Sequence, residues 1–210
     1  MPETSYTISL QKRNEFTVKK LIQLKYNTTS SSYDDLYRDE QIEKYNEIRD
    51  VLKSFLSRKM QILVILDAGC GTGLLLEYLY QLLTHVLVKP LIYYIGLDFS
   101  IGMLSQAKKK INQSLGRVLV DLILSDIDYL PLRDKVIDTL VSITVIQNLP
   151  SMRKTLMELF RVVKENGIFI VSHPKKVYDS IYSDIIHSNI KHMRIFSKQS
   201  KDTIWYTTKR

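Results

Sequence analysis

The stretch Leu66-Asp67-Ala68-Gly69-Cys70-Gly71-Thr72-Gly73 decides how this chain folds. It follows Ile62-Leu-Val-Ile-Leu66, a short apolar run rich in β-branched residues, whose length and glycine boundary argue for a buried strand. Beyond it a helix is expected near residues 74–84. Glycines at such a strand-to-helix crossing let the backbone turn tightly and approach a ligand more closely than any Cβ would permit. A dinucleotide fingerprint, Gly-x-Gly-x-x-Gly, would need glycine at position 74, where this chain has Leu74. The spacing is instead Gly-x-Gly-x-Gly. Asp67 stands two residues before the first glycine, where a carboxylate would repel a pyrophosphate but attract an ammonium or sulfonium cation. The loop therefore suits a cationic nucleoside better than a dinucleotide.

Outward from this loop the chain alternates between the two regular periods. Ile42, Tyr45, Ile48, Leu52, Phe55 and Leu56 recur at three-and-four spacing, which predicts one helix over residues 40–59 lying on a sheet. Further helices are expected near 101–113, 151–164 and 176–190, with strands near 91–97, 118–125, 136–143 and 167–172. Such alternation implies right-handed crossovers and a parallel sheet covered on both faces. His192–Ser197 and Thr203–Thr208 read as strands joined by a turn too short for a parallel crossover, so an antiparallel hairpin is expected at one edge. Residues 1–32 read as an appendage to a domain over 33–210. Its polar end, Asn27-Thr-Thr-Ser-Ser-Ser32, has the composition of a loop or flexible linker. Within it Phe16, Val18, Leu21, Ile22 and Leu24 could form an amphipathic helix or pack against the body, with Lys12, Arg13, Lys19, Lys20 and Lys25 outside.

Composition narrows the setting. With 45% hydrophobic and 25% charged residues, 210 residues can bury one sizeable core and cover it. No run approaches the roughly 20 apolar residues of a bilayer span, and the first residues lack the apolar core of a secretory signal. Cys70, the single cysteine, cannot form an intramolecular disulfide, and no Cys/His spacing resembles a zinc site, so an intracellular, cytoplasmic setting without a metal is expected. The net charge of +8 is compatible with a nucleic-acid partner without demanding one. Between Lys175 and Arg210 there are eight Lys and Arg against three Asp.

The glycine loop with its preceding acid resembles the first motif of the class I S-adenosylmethionine-dependent methyltransferases. Tyr94-Ile-Gly-Leu-Asp98-Phe99-Ser100, followed by Met103-Leu104, is similar to that family's second motif, whose terminal acid hydrogen-bonds both ribose hydroxyls. Ser125-Asp126-Ile127-Asp128-Tyr-Leu-Pro131-Leu132, followed by Ile137-Asp138, resembles the next motif. There the first acid faces the adenine amino group and the following residue packs on the ring. Glu158-Leu-Phe-Arg161-Val-Val-Lys164-Glu-Asn-Gly167 resembles the stretch before the fifth strand, with Glu165-Asn166 in place of Pro-Gly. The matches run in the family's order over about residues 40–173. The resemblance implies a Rossmann-like, doubly wound α/β sheet that is mostly parallel, with an antiparallel C-terminal edge hairpin and helices on both faces. It also implies S-adenosylmethionine as cofactor, held by Asp67, Ala68, Gly69, Cys70, Gly71, Gly73, Asp98, Phe99, Ser100, Met103, Asp126, Ile127 and Thr144.

The acceptor is less legible. The loop Thr144-Val-Ile-Gln-Asn-Leu149 lacks both the Asn/Asp-Pro-Pro-Tyr quartet of many amino-nitrogen methylases and the Pro-Cys pair of carbon-5 pyrimidine methylation. Transfer to nitrogen or oxygen is expected before transfer to carbon, with RNA slightly favoured over a small metabolite on charge. Gln147 and Asn148 could orient an acceptor or cap the next helix. Tyr37, in the Tyr33–Tyr45 stretch, is the better candidate for a lid, with helix packing as its alternative. His173 could serve as a base or be structural. The competing reading is a non-catalytic cofactor-binding subunit that activates another methyltransferase. With Asp67, Asp98, Asp126 and all three loop glycines present, the catalytic reading is preferred.

Overall fold

The computed structural model describes residues 5–57, 62–84, 90–111, 117–175, 194–196 and 200–209. Three helices, α1 (Ser5–Thr29), α2 (Tyr33–Glu47) and α3 (Arg49–Leu56), precede the first strand, β1 (Ile62–Ala68). Then come α4 (Leu74–Thr84), β2 (Leu91–Asp98), α5 (Ile101–Lys109), β3 (Val118–Leu124), β4 (Ile137–Ser142), a 3-10 turn (Ile146–Asn148), α6 (Met152–Val162), β5 (Val163–Pro174), β6 (Arg194–Phe196) and β7 (Asp202–Thr208). The strands form one seven-stranded sheet in the order β3-β2-β1-β4-β5-β7-β6. β1 to β5 are mutually parallel, β7 runs antiparallel to β5, and β6 antiparallel to β7. The parallel sheet and its antiparallel edge are those expected from the alternation of strand and helix.

Period-two alternation divides the strand side chains between two cores. Leu63 and Ile65 of β1, Ile92 and Tyr94 of β2, and Ile168 and Ile170 of β5 join the cluster that includes Leu52, Phe55, Leu75 and Leu79. Leu66 and Ala68, Ile95 and Leu97, and Phe169 and Val171 turn to the opposite cluster, with Leu156, Leu159 and Val162 of α6. Both faces are buried, which is why β1 reads as a continuous apolar run rather than as an alternating one. Trimming a fully buried leucine such as Leu66 to alanine in such a core costs about 2–5 kcal/mol.

Four expectations are corrected. The apolar face of residues 40–59 is buried at Tyr45, Ile48, Leu52, Phe55 and Leu56, but it spans two helices, because the chain bends at Ile48 (φ −96°, ψ 4°). The polar run 27–32 is not a linker. Thr28 and Thr29 hydroxyls donate back to the Leu24 and Lys25 carbonyls at 2.9 and 3.0 Å, and the helix continues to Thr29 before a tight turn into α2. Lys19 does not point outward; its side chain is 13% exposed and paired with carboxylates of the body. The fifth strand begins at Val163, earlier than expected, and its register shifts between Ile137 and Thr139 of β4. Asn166 there takes φ +61°, the left-handed turn conformation asparagine tolerates, and its N–H donates to the Lys209 carbonyl at 2.7 Å. The helix expected near 176–190 lies outside the described residues. Among those described, no helix is long and apolar enough to cross a membrane.

Candidate active site

The chain builds β1, β2 and β3 outward in one direction, then returns to place β4 and β5 on the other side of β1. The reversal leaves a crevice beyond the carboxyl ends of β1 and β4, the place where open α/β sheets bind ligands. A cleft of about 600 Å³ opens there, walled by Gly69, Gly71, Leu97, Asp98, Phe99 and Met103 on one side and by Ile143, Thr144, Val145, Asn148 and Leu149 on the other. Ser125 and Ile127 close one end, and Ile22, Tyr26 and Tyr33 from the N-terminal helices cover it.

The glycine loop is shaped by its neighbours. Gly69 (φ +81°) runs directly beneath Val145, where a Cβ would lie 2.5 Å from that side chain. Gly71 (φ +53°) has no atom within 4 Å of the position a Cβ would take, so its backbone stands open to the cleft. The Gly69 and Cys70 N–H groups donate to the Leu97 carbonyl at 2.7 and 2.9 Å, stitching the loop to the end of β2. There Asp98 accepts hydrogen bonds from Gly71 N–H at 2.9 Å and Ser100 N–H at 2.8 Å. Burial nevertheless raises its carboxyl above the ordinary value, with these backbone donors opposing the shift. Among the described residues, no lysine or arginine lines the cleft.

Seven of the proposed cofactor residues line this space: Gly69, Gly71, Asp98, Phe99, Met103, Ile127 and Thr144. The others stand behind it. Ala68 ends β1 and its carbonyl accepts from Ser142 Oγ, and Ser100 caps α5 by accepting from Met103 N–H at 3.2 Å. Gly73 packs on Ala107, and the buried Cys70 thiol is pushed well up by desolvation. Asp67 is buried and accepts from Tyr94 Oη at 2.5 Å; desolvation pushes its carboxyl up to about 7 despite that bond. Asp126 opens onto a neighbouring groove with Phe16, Lys20 and Leu124, and Lys19 Nζ donates to both its oxygens at 2.9 and 2.6 Å. The same ammonium reaches Asp128. Burial lowers the Lys19 pKa, but the two carboxylates outweigh that and leave it raised.

The catalytic candidates separate in space. Asn148 lies on the cleft, with Nδ2 donating to Tyr26 Oη at 3.2 Å and to the Thr144 carbonyl at 3.3 Å. Gln147 does not line it, and its Oε1 is buried with no hydrogen-bond partner. His173 is fully buried in β5, stacked 6.2 Å from Trp205, with Nδ1 3.1 Å from the Pro174 carbonyl, and does not reach the cleft. Tyr37 is 42% exposed and packs its ring 4.8 Å from Tyr33. The rings over the cleft are Tyr33 and Tyr26, so the covering tyrosine within 33–45 is Tyr33 and not Tyr37.

Tyr26 and Val145 were not singled out as site residues in the sequence, nor was Ile22 beyond its place in an amphipathic helix; α1 reaches the site through partners 73 to 122 residues away. Gln23 donates to the Phe99 carbonyl at 2.6 Å, and Asn27 accepts from Ser100 Oγ and Gly102 N–H at 2.7 and 3.0 Å. α2 is fastened by Asp34, which bonds Thr72 Oγ1 and Lys110 Nζ, both at 2.5 Å. Burial would raise the Asp34 carboxyl, but Lys110 and Thr72 bring it below its ordinary value.

Known proteins agree with this architecture. A malonyl-[acyl-carrier protein] O-methyltransferase of Priestia megaterium is 29% identical over 183 residues, which are 87% of this chain and 61% of that protein. A demethylmenaquinone methyltransferase of Symbiobacterium thermophilum is 34% identical over 114 residues, covering 54% of this chain and 43% of the relative. The chain thus spans less than two thirds of the length of either relative. The crystal structure of magnesium protoporphyrin IX methyltransferase from Synechocystis with bound S-adenosylhomocysteine superposes with a TM-score of 0.68 at 17% identity, over 92% of this chain and all of that one, and shares the fold. Residues 66–171, half of the chain, match the methyltransferase-domain family from the end of β1 through β5, and the chain belongs to that family.

Proposed function

We propose that this protein transfers a methyl group from S-adenosylmethionine to an oxygen or nitrogen of a small or carrier-borne organic acceptor. The observation that carries the reading is Asp98: a buried carboxylate fixed by two backbone N–H groups at the wall of the cleft, with no lysine or arginine among the described residues that line it. Such a carboxylate suits a pair of ribose hydroxyls, since each would donate to an oxygen already oriented. The open backbone at Gly71 admits the ligand closely, and Phe99, Met103 and Ile127 offer apolar surface to an adenine ring. The residues present fit the cofactor. When bound, S-adenosylmethionine supplies a methyl group made electrophilic by its sulfonium.

The chain's own part is alignment and exclusion of water, and holding reactants in line supplies up to about 7–11 kcal/mol of a barrier. Tyr26 and Tyr33 cover the cleft, while Asn148 presents a polar side chain on the wall away from Asp98. The acceptor would enter there. Among the described residues the cleft lining is mainly aromatic and apolar where an RNA-binding surface would carry free cations, and Lys19 of α1, at the neighbouring groove, is tied to Asp126 and Asp128. That lining, and relatives named for malonyl-[acyl-carrier protein] and demethylmenaquinone, support an organic acceptor over RNA. Incubation of the protein with methyl-labelled S-adenosylmethionine and fractionated extract, with and without ribonuclease, tests it. Label that survives the nuclease is expected; label lost to it would return the acceptor to RNA, and no label despite bound cofactor would return the chain to a non-catalytic subunit.

A further inference from the structure

Lys44 has no part in the reading above, yet it is a fully buried lysine. An ammonium withdrawn from water is tolerated only when paired and hydrogen-bonded. Lys44 Nζ donates to Glu40 Oε1 at 2.8 Å and Thr144 Oγ1 at 2.8 Å, and lies 3.2 Å from Asp202 Oδ1, so all three of its donors are engaged. Thr144 is the residue that needs such support. It sits at φ +63°, a region β-branched residues rarely adopt, two residues past the end of β4 and on the wall of the cleft. Its N–H donates to Ser172 Oγ at 2.8 Å and its hydroxyl to Asp202 Oδ2 at 3.0 Å, while Ser172 Oγ donates to the same Asp202 oxygen at 2.7 Å. Side chains from α2, β5 and β7 therefore converge on one residue. The next residue, Val145, occupies the space that a Cβ on Gly69 would need.

We infer that Lys44 is a positioning residue for the cofactor cleft: bonded to Thr144 Oγ1, it holds Thr144 in the left-handed conformation and so seats Val145 on Gly69. The inference rests on reading the cleft as the S-adenosylmethionine site. It places a specific demand on Thr144, since a glycine at 144 adopts this conformation without a clamp.

The test is S-adenosylhomocysteine affinity by calorimetry, comparing Lys44→Met with its parent in two backgrounds, Thr144 and Thr144→Gly. Proton exchange of the residue-144 amide is followed by NMR in the same proteins without ligand. With Thr144 present, Lys44→Met is expected to weaken binding about ten-fold or more and to speed exchange. With Thr144→Gly the same substitution is expected to cost less than about three-fold, because coupled residues are non-additive. A merely structural lysine would cost the same in both. Lys44→Gln, which keeps a donor and removes the charge, replaces Lys44→Met where the latter does not fold. Unchanged affinity in the Thr144 background, or equal losses in both, overturns the inference. A wild-type protein that binds neither S-adenosylmethionine nor its product overturns the site reading instead. The exchange rates then decide the role of Lys44, and unchanged protection at residue 144 rejects it.

Discussion

The two ends of the cleft carry the same residue type in opposite electrostatic states. At the glycine-loop end, Asp67 and Asp98 are buried against a tyrosine hydroxyl and backbone N–H groups, with no cation among their bonding partners. At the α1 end, Asp126 and Asp128 are clasped by Lys19 from 107 and 109 residues away. Desolvation raises both carboxyls of the first pair. A strand-end aspartate is thus not a site by itself; what packs above it decides whether its charge is left for a ligand or already neutralised. Among the described residues the glycine end holds no cation, and its desolvated carboxyls would be drawn toward the charged form by a cation-bearing nucleoside, whereas the α1 end is already paired.

The contrast breaks first, and by the largest margin, at Asp67. In the unfolded chain an aspartate releases its proton near 3.9, whereas here it holds the proton to about 7, so unfolding between those values releases a proton. Stability from this group is therefore full at low pH, declines as pH rises from about 4 to 7, and is flat above. The drop is of order 4 kcal/mol at one pKa unit per 1.36 kcal/mol. Urea unfolding at pH 5 and pH 8 should show a steeper loss in wild type than in Asp67→Asn, and equal slopes would mean that burial does not raise the Asp67 carboxyl. The next effect is steric. Gly69→Ala combines a Cβ 2.5 Å from Val145 with φ +81°, and should destabilise by roughly 2–4 kcal/mol. Gly71→Ala, with open space at its Cβ, should stay folded and lose cofactor affinity instead. Thermal melts beside calorimetry separate the two, and equal destabilisation would remove Gly71 from the ligand face.

The glycine end was legible in the sequence because its contacts are local or one crossover away. Gly71 meets Asp98 at a separation of 27 residues, within two successive strand-loop units whose spacing the fold imposes. The same locality made β1 to β5 and the β7 edge readable from short apolar runs, turn lengths and the period-3.6 pattern of the intervening helices. The α1 end was not. What fixes α1 is largely polar, through Lys19, Gln23 and Asn27; of its apolar residues Ile22 turns to the cleft while Phe16, Leu21 and Leu24 remain exposed, so apolar periodicity identified only part of the buried face. Thr28 and Thr29 read as linker by composition, because the hydroxyl bonds that carry them in a helix are invisible in a residue count. Lys44 and Thr144 lie 100 residues apart, and neither residue type announces a partner.

Smaller effects sharpen the comparison at Asp98 and Asp126, the two acids proposed to meet the nucleoside. Asp98→Ala removes a buried acceptor whose remaining lone pairs face the cleft, and should weaken S-adenosylhomocysteine binding by about 1–3 kcal/mol. An unchanged calorimetric affinity would take Asp98 out of the site.

Asp126→Asn should do the least, under about 1 kcal/mol in affinity, because Lys19 already satisfies both of its oxygens and its side chain is one-third exposed. The informative measurement is the same substitution made in Lys19→Met. Without the ammonium, Asp126 regains an uncompensated charge and free acceptors, so an adenine amino group would have something to bond. Asp126→Asn should then cost more than it does in wild type. The coupling between positions 19 and 126 reads directly how far α1 competes with the nucleoside for that carboxylate. If Asp126→Asn costs as much as Asp98→Ala with Lys19 in place, the carboxylate bonds the ligand regardless of its lysine, and the two ends of the cleft are electrostatically alike.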